Sequence, residues 1–447
     1  MDERIREHIQ SLIDRNQWIE GRSLLKEMSP PEIKELMINL EKTKRVMIFR
    51  LLPKQLASEV LTYHERGERD NLLTELTDEE MRQVLANMRP DDRTELLEEL
   101  PGQAVQKLLN LLPPEELSEA RQLLGYPEES VGRLMTPDYV AVRPEWTIKQ
   151  SLRHIRDMGK DSETINVIYV TDHSWKLLDA LSLRQFILAD PSEQVQQILD
   201  YSFVSVLATD DREKAVHLIQ DYDIYALPVL DAEDTLLGIV TVDDILDVAE
   251  EEATEDFQKT AAVEPLKMSY IDANFISLYR KRVLWLVGLF GINLIAAGVI
   301  ESFEETLTSV IALAFFIPML MGTGGNVGTQ SATLVVRALA TREVYLHQFF
   351  RIIKREFMTG LLLAVTIAIA GWFVGYMKGG HDLAFAIGAS MVLIVLLTNI
   401  IGVMIPLLLS KIKIDPAVIS SPLIASISDV SCLFIYFFIA KNVLGIA

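Results

Sequence analysis

The sequence contains very little cysteine and histidine, and no apolar segment at its N-terminus. The single cysteine, Cys432, lies inside an apolar run, which excludes a disulfide framework and a cysteine-based zinc site. The 7 histidines are never spaced as ligands of one metal ion, so a histidine-rich transition-metal site is excluded as well. The first 30 residues are charged throughout, without an apolar core of signal-peptide length. We therefore expect the N-terminal part of the chain to stay in the cytoplasm.

Acidic residues outnumber basic residues before residue 283. The 447 residues include 42 Lys and Arg against 63 Asp and Glu, which gives a net charge of −21. From Val283 onward the two signs are nearly balanced, with 9 basic and 8 acidic residues, so the acidic excess belongs to the part before it. Because an acidic surface repels phosphate backbones, we predict no nucleic-acid partner. Such a surface attracts cations.

Charge-free apolar runs fill the C-terminal part of the chain. Each run is close to or above the length of about 20 residues that a helix needs to cross a membrane. The runs are 283–300, 307–336, 357–377, 383–410 and 416–440, the last interrupted only by Asp429. They predict a membrane domain of five transmembrane helices over residues 283–447, in contact with lipid.

The basic residues predict the orientation of these spans in the cell membrane. They lie before the first span, between the second and third, and between the fourth and fifth, whereas the alternate loops are mostly acidic. Since cytoplasmic loops carry an excess of Lys and Arg, the N-terminal domains should be cytoplasmic and the C-terminus external. The residues that carry this prediction are Arg280, Lys281, Arg282, Arg337, Arg342, Arg351, Lys354, Arg355, Lys411 and Lys413.

The second run is unusually long and rich in glycine. It contains Pro318 and four glycines between Gly322 and Gly328, a composition that predicts a kinked or unwound helix. Backbone groups freed in this way would have to face protein or water. Asn326 and Gln330, one turn apart, favour a lined cavity, and close packing of helices is the alternative.

Asp429 is the most informative single residue of the membrane part. It is the fourteenth of 25 residues in the fifth run, so it lies near the middle of the bilayer. A carboxylate there costs about 2.5–3.5 kcal/mol on insertion scales, which favours a functional role. Small residues occupy the same helix face at Ser421, Ala425, Ser428 and Cys432. The pattern predicts a pore or ion site, and a protonated structural carboxyl is the alternative.

Residues 1–130 are predicted to be helical throughout. Leucine-rich stretches alternate with prolines, as at Pro90, Pro101 and Pro113-Pro114, and each interval holds one short amphipathic helix. Asp91 and Asp92 are predicted to cap the N-terminus of the helix that follows Pro90. Short stacked helices of this kind favour an all-α superhelical array. A generic helical bundle is the alternative.

Residues 131–250 contain an internal repeat with a constant offset of 59 residues. Each unit is predicted as a helix, a strand, an acidic turn, a second strand and a helix, and the pair resembles a tandem CBS pair of α/β fold. The resemblance implies a regulatory ligand, often an adenine nucleotide such as ATP, with Thr241 and Asp244 at its ribose. Asp179 and Gln185 depart from the family pattern in the first unit, which argues against a nucleotide there.

A long acidic run leads from the second repeat towards the membrane. Eleven acids and no Lys or Arg lie between Asp231 and Asp256. From Asp243 the acids should share one connecting helix, predicted over 243–282. Its positions 244, 247, 251 and 255 fall on one face, where like charges repel. We interpret the face as a sensor of metal cations, with a merely solvated face as the alternative.

With these motifs in place, the chain resembles MgtE-type magnesium channels over its whole length. The resemblance is carried by residues 322–342, by residues 415–423 and by Ser428-Asp429-Val430. It implies a homodimer with the pore on its axis. Asp429 would be the selectivity acid, the Ala425 carbonyl and Asn326 would line the pathway, and Asp415 would lie at the cytoplasmic mouth.

The resemblance and the charge pattern together predict how such a channel is regulated. Cytoplasmic Mg²⁺ would bind carboxylates of the N-terminal domain and of the connecting helix and close the pore. The predicted sensor residues are Asp91, Asp92, Glu95, Glu213, Asp223, Asp243, Asp244, Asp247, Glu251, Glu252, Glu255 and Asp256.

The sequence thus predicts a Mg²⁺-selective importer that Mg²⁺ itself closes. An enzyme is not expected, because the sequence has no metalloprotease motif, phosphate loop or nucleophile elbow. Two alternatives remain open: a CBS-regulated transporter of another divalent cation such as Co²⁺ or Mn²⁺, and a membrane-anchored cation sensor.

Overall fold

The computed structural model describes residues 8–9, 11–12, 15, 17–38, 40–64, 66–266, 270–271, 273–418 and 420–445. The chain divides into two compact units, Met1–Glu252 and Ala253–Ala447. We call them the N-terminal unit and the membrane unit.

Short helices form the first part of the N-terminal unit, as predicted. Prolines stand in the first turn or at the cap of many of them, because a proline lacks the N–H group that would be unpaired at a helix start. Leucine and isoleucine side chains such as Leu25, Ile33, Leu61 and Leu85 form their common core. The helices are α1 (Trp18–Leu25), α2 (Pro30–Ile38), α3 (Lys42–Leu51), α4 (Lys54–Thr62), α5 (Arg66–Glu75), α6 (Asp78–Ala86), α7 (Pro90–Glu98), α8 (Gly102–Leu109) and α9 (Pro114–Leu123).

The predicted capping role of Asp91 and Asp92 is wrong. Helix α7 begins at Pro90, so its cap is Arg89, and no side chain closes the helix end. The proline takes the first helical position because its fixed φ suits it. Asp91 and Asp92 therefore lie within the first turn, where their carboxylates are free to face another element.

Two similar α/β units follow and confirm the predicted CBS pair. The first contains α10 (Val131–Leu134), α11 (Ile148–Met158), α12 (Leu183–Leu188), β1 (Ala141–Val142), β2 (Val167–Thr171) and β3 (Leu177–Ser182). The second contains α13 (Arg212–Tyr222), β4 (Val206–Leu207), β5 (Ala226–Leu230) and β6 (Leu236–Thr241). In each sheet the first pair of strands is parallel and the second antiparallel. The pairings Val167↔Ser182 and Ala226↔Thr241 repeat the register across the two units.

The acidic run forms helix α14 (Val242–Thr260), which is shorter than the predicted connecting helix. Ala262 adopts a left-handed conformation with φ 61°. Its N–H donates to the Lys259 carbonyl and that of Val263 to the Gln258 carbonyl, both at 2.9 Å. This pair of bonds is the Schellman arrangement that ends a helix, so the predicted continuation to residue 282 does not occur as one helix. The next helix begins at Phe275.

The membrane unit contains four helices that are long and apolar enough to cross a membrane, counted over the described residues. Its helices are α15 (Phe275–Ser302), α16 (Glu304–Ser309), α17 (Ile317–Ala340), α18 (Phe349–Lys411) and α19 (Ser421–Leu444). Helix α18 has 63 residues and leaves helical geometry at Gly379 and Gly380. At 1.5 Å per residue it would span about 95 Å, roughly three bilayer cores, so its two halves correspond to the predicted third and fourth spans.

The glycines of the second span do not unwind it, contrary to the prediction. Helix α17 is continuous through Gly322–Gly328, and the irregular backbone comes earlier, as a 3-10 helix at Ile311–Phe316. Pro318 stands in the first turn of α17, where it is tolerated. A methyl group added at Gly402 would overlap the Gly328 backbone, so these two glycines let α17 and α18 approach closely. At Gly328 and Gly402 the structure therefore shows close packing, which is the alternative interpretation of the glycines.

Candidate ion pathway and cation-sensing surfaces

A polar stripe runs along one side of helix α17. Gly322, Asn326 and Gln330 are four residues apart and exposed, whereas Gly324 and Gly328 on the opposite side are buried against α18 and α19. Amide side chains exposed to lipid inside a membrane would lack hydrogen-bond partners. The stripe therefore requires a water-filled path or a protein partner beside it.

Helix α19 places Asp429 next to this stripe. A methyl group added at Gly325 would lie 3.8 Å from Asp429 Oδ1 and 3.6 Å from Ala425 Cβ. Asp429 and Ala425 are both partly exposed. Among the described residues, no side chain or backbone group forms a hydrogen bond or ion pair with Asp429. The structure thus brings Asp429 and Ala425 together with the segment that carries Asn326, and leaves the carboxylate available to a ligand.

The predicted stripe of small residues on α19 divides into two faces. Ser428 and Cys432 are buried, and their side chains pack against Gly328 and Gly324. Ala425 and Asp429 lie on the more exposed side. Ser428 and Cys432 therefore contribute to helix packing, whereas Ala425 and Asp429 border the polar stripe.

A buried polar network centred on Asn399 of α18 holds α17 in place. Ser331 Oγ donates to Asn399 Oδ1 at 2.5 Å, and Asn399 Nδ2 donates to the Glu356 carbonyl at 2.8 Å. Asn399 is only 1% exposed. Its hydrogen bonds connect α17 with both halves of α18 and thereby fix the position of these helices relative to one another.

Asp415 lies in the turn before α19 and binds a lysine of helix α14. Its Oδ1 accepts the Ala417 N–H at 2.8 Å, and its Oδ2 accepts Lys259 Nζ at 2.8 Å. Lys259 Nζ is also 2.5 Å from Glu255 Oε1. The structure thus brings the predicted residues Glu255 and Asp415 to one place, around a cation that the sequence analysis did not consider. Asp256 follows Glu255 on the same helix.

In the N-terminal unit, the acids of α7 face the start of helix α14. Asp91 is 7% exposed, and its Oδ1 has no hydrogen-bond partner in the described part of the chain. Burial holds the pKa of Asp91 well above its usual range, and the charges of Asp244, Asp92 and Glu163 raise it further. Burial also raises the pKa of Asp92, with Arg89 opposing the shift and Asp243 adding to it. These acids would be more stable beside a cation.

Asp244 shares this environment from the other side. Burial raises its pKa to about 7, the hydrogen bond from Thr241 opposes the shift, and the charges of Asp243, Asp92 and Glu163 add to it. Asp91 and Asp92 thus lie within electrostatic range of Asp243 and Asp244.

The remaining predicted sensor residues are spread over a wider surface. Arg212 pairs with Glu251 at 2.8 Å and with Glu252 at 2.9 Å, so the acidic face is partly neutralised. Burial raises the pKa of Asp247, with help from Glu250, Glu251 and Asp243. Burial raises the pKa of Glu95 to about 7, Arg69 at 3.7 Å opposes the shift, and the charges of Glu99, Asp92 and Glu251 add to it. Glu213 is 3.4 Å from His217, and Asp223 ends α13 with φ 51°. Nowhere in the described ranges do three His, Cys, Asp or Glu side chains converge as a metal site.

The residues predicted at a nucleotide are occupied by internal contacts. Thr241 Oγ1 donates to Asp244 Oδ2 at 2.8 Å and also to Asp243. Asp179, which departs from the CBS pattern, is fully buried and accepts the N–H groups of Asp200 at 2.9 Å and Tyr201 at 3.0 Å. Gln185 accepts the Ser182 N–H at 2.8 Å in a capping box. Both departures thus have structural roles.

Comparison with known proteins places these features in a family. Residues 317–439 match the MgtE divalent cation transporter family, residues 28–129 the MgtE intracellular N domain, and residues 131–191 and 195–251 the CBS domain. The magnesium transporter MgtE of Thermus thermophilus is 39% identical over 447 residues, 99% of both chains. That of Bacillus subtilis is 33% identical over 93% of this chain and 95% of its own.

A solved structure supports the same assignment for the N-terminal unit. The cytosolic domain of the Mg²⁺ channel MgtE in complex with ATP is 37% identical, with a TM-score of 0.52, and covers 54% of this chain and 99% of its own. In this chain the three family models follow one another in the order N domain, CBS pair and transporter domain. The chain belongs to the MgtE family of magnesium transporters.

Proposed function

We propose that the protein is a Mg²⁺-selective channel of the cell membrane whose pathway runs along the polar stripe of α17 beside Asp429. The observation that carries the proposal is the position of Asp429 and Asn326, which border a face that the described chain leaves uncovered. Lipid chains cannot satisfy the polar groups of that face, because they form no hydrogen bonds.

We propose that a second copy of the chain packs against this face. Two copies related by a twofold axis would enclose the stripe and bring two Asp429 carboxylates together, matching the charge of one Mg²⁺. Mg²⁺ prefers octahedral oxygen ligands and gives up its water reluctantly. Asp429, the Asn326 amide and the Ala425 carbonyl would thus hold a largely hydrated ion through its waters.

The direction of transport follows from charge. The basic loops support a cytoplasmic N-terminal unit and an external C-terminus. A membrane potential that is negative inside favours entry by about 2.3 kcal/mol per charge for each 100 mV, and a divalent cation gains twice as much. A passive pathway of this kind imports Mg²⁺.

Closure by cytoplasmic Mg²⁺ is supported by the acids between α7 and α14. Burial raises the pKa of both Asp91 and Asp244, and the charge of Asp244 raises that of Asp91 further, so the contact is weakened when both are ionised. A divalent cation between them relieves the repulsion and stabilises the contact. Moving a gate from 1:99 to 99:1 needs about 5.5 kcal/mol of preferential binding, which several weak sites supply together. The predicted sensor acids would provide these sites.

An adenine nucleotide is a second regulatory ligand that we propose. The support is the ATP in the complex of a related cytosolic domain. Here Thr241 and Asp244 would have to exchange their mutual hydrogen bond for the ribose. Calorimetry on the full-length protein with ATP measures this directly, and the absence of heat at millimolar ATP would contradict it.

The test of the channel proposal is cation flux into liposomes that contain the purified protein. We expect Mg²⁺ influx under an inside-negative potential, and loss of influx when Mg²⁺ is added on the side of the N-terminal unit. Influx of Co²⁺ or Mn²⁺ without Mg²⁺ would assign the pathway to another divalent cation. No flux of any cation would leave a membrane-anchored sensor and contradict the channel.

A further inference from the structure

Lys259 fills the space between two carboxylates from different parts of the membrane unit. Its Nζ lies 2.5 Å from Glu255 Oε1, one turn earlier in α14, and 2.8 Å from Asp415 Oδ2. The other oxygen of Asp415 is held by the Ala417 N–H, which fixes the carboxylate within its turn. One ammonium group therefore compensates two carboxylates.

The position of this cluster links it to the pathway. The turn at Pro416–Val418 leads directly into α19, which begins at Ser421. Asp429 is two helical turns farther along, at a distance of about 12 Å for a rise of 1.5 Å per residue. A change in the charge that Asp415 binds thus acts on the start of the helix that carries Asp429.

A neighbouring ion pair in the same unit shows what is unusual about Lys259. Lys281 Nζ binds Glu264 Oε1 at 2.8 Å, and the Glu264 N–H donates to the Lys281 carbonyl at 3.0 Å. That pair has one charge of each sign. At Lys259 two carboxylates share one ammonium, so the pair of acids retains an excess negative charge that a divalent cation would satisfy better.

We propose that Lys259 is a built-in competitor of divalent cations at Glu255 and Asp415, and that it sets the concentration at which such a cation binds there. The inference rests on the proposed closure by cytoplasmic Mg²⁺ for its effect on the gate, but not for the binding itself. Carboxylate oxygens that contact one ammonium group are close enough to share one divalent ion, which has a preference for oxygen ligands. The ammonium and the ion cannot occupy the same space, so each lowers the affinity of the site for the other.

The binding test compares Lys259→Gln with Lys259→Arg and Lys281→Gln. The full-length protein in detergent is titrated with Mn²⁺, and free Mn²⁺ is followed by its EPR signal. Since each partly exposed ion pair is worth up to about 1 kcal/mol, we expect Lys259→Gln to tighten one site per chain about fivefold. Lys259→Arg keeps the competing charge and should behave as wild type, as should Lys281→Gln. The added mutation Asp415→Asn should remove the tightened site.

The flux test asks whether the site acts on the gate. The internal Mg²⁺ concentration that halves influx should fall by the same factor in Lys259→Gln. Unchanged or weaker Mn²⁺ binding in Lys259→Gln would contradict the proposed competition between Lys259 and divalent cations. If Mn²⁺ binds more tightly but the internal Mg²⁺ concentration that halves influx is unchanged, the site does not act on the gate. If Lys259→Gln binds Mn²⁺ more tightly but Mg²⁺ does not close even the wild-type protein, the result supports competition by Lys259 and contradicts the proposed closure by Mg²⁺.

Discussion

Asp429 in the membrane unit and Asp91 in the N-terminal unit both lie where an acid is costly, but their surroundings differ. In the described part of the chain Asp429 forms no hydrogen bond or ion pair, and it borders an uncovered polar stripe. Asp91 is buried among other acids, including Asp92, Asp244 and Glu163. One acid per chain can hold a passing ion without trapping it, whereas a crowded group of acids within one chain binds a cation more tightly. The first arrangement suits permeation and the second suits sensing.

The largest effect should come from removing the membrane acid. Asp429→Asn keeps the shape of the side chain and removes its charge, so it should reduce Mg²⁺ influx at least about 100-fold, equivalent to about 2.7 kcal/mol. The measurement is dye-reported influx into liposomes. Asp382→Asn, which changes an exposed acid at the kink region of α18, is the matched control and should retain influx. Full influx in Asp429→Asn would remove this residue from the pathway.

The next effect tests the packing that positions the stripe. Gly402→Ala forces a methyl group into the Gly328 backbone, and overpacking of this kind costs about 1–3 kcal/mol. We expect a lower melting temperature in detergent and weaker influx. Gly288→Ala is the control, since a methyl group there meets nothing within 4 Å. Equal melting temperatures for both variants would show that the glycine contact between α17 and α18 is not tight.

A smaller effect is expected when the crowded acids are neutralised. The double variant Asp91→Asn/Asp244→Asn removes both the repulsion and two ligands, so the open and closed states should differ less in their affinity for Mg²⁺. We expect the change in influx between low and high internal Mg²⁺ to shrink about tenfold, which corresponds to about 1.4 kcal/mol of lost coupling. Asp157→Asn, at an exposed position on α11, should keep the wild-type response. A wild-type response in the double variant would place the sensor elsewhere.

The sequence predicted elements well and contacts between distant residues poorly. The apolar runs and the constant repeat offset are local patterns, and the corresponding helices and CBS units are present. The neutralisation of Glu252 by Arg212 was missed, because the two residues are 40 positions apart. The pairing of Lys259 with Asp415 joins residues 156 positions apart and was missed for the same reason. Glycine composition suggested a broken helix because the sequence does not show which surface each glycine meets.

The smallest effect should be a dependence of closure on pH. Burial and neighbouring acids raise the pKa of Asp244 to about 7 and that of Asp91 above its usual range. The contact between α7 and the start of α14 therefore binds more protons than the two helices do when they are apart. Its stability is therefore greatest below the raised pKa and is lost as the pH rises through it.

Between about pH 8 and about pH 6, protons should take over part of the role of Mg²⁺. The internal Mg²⁺ concentration that halves influx should then fall about threefold at the lower pH, because protonation removes part of the repulsion that the cation otherwise screens. Asp244→Asn should reduce the pH shift, because the amide cannot ionise. If the variant and the wild type shift equally, another group is responsible for the pH dependence, and Asp244 does not titrate at this contact.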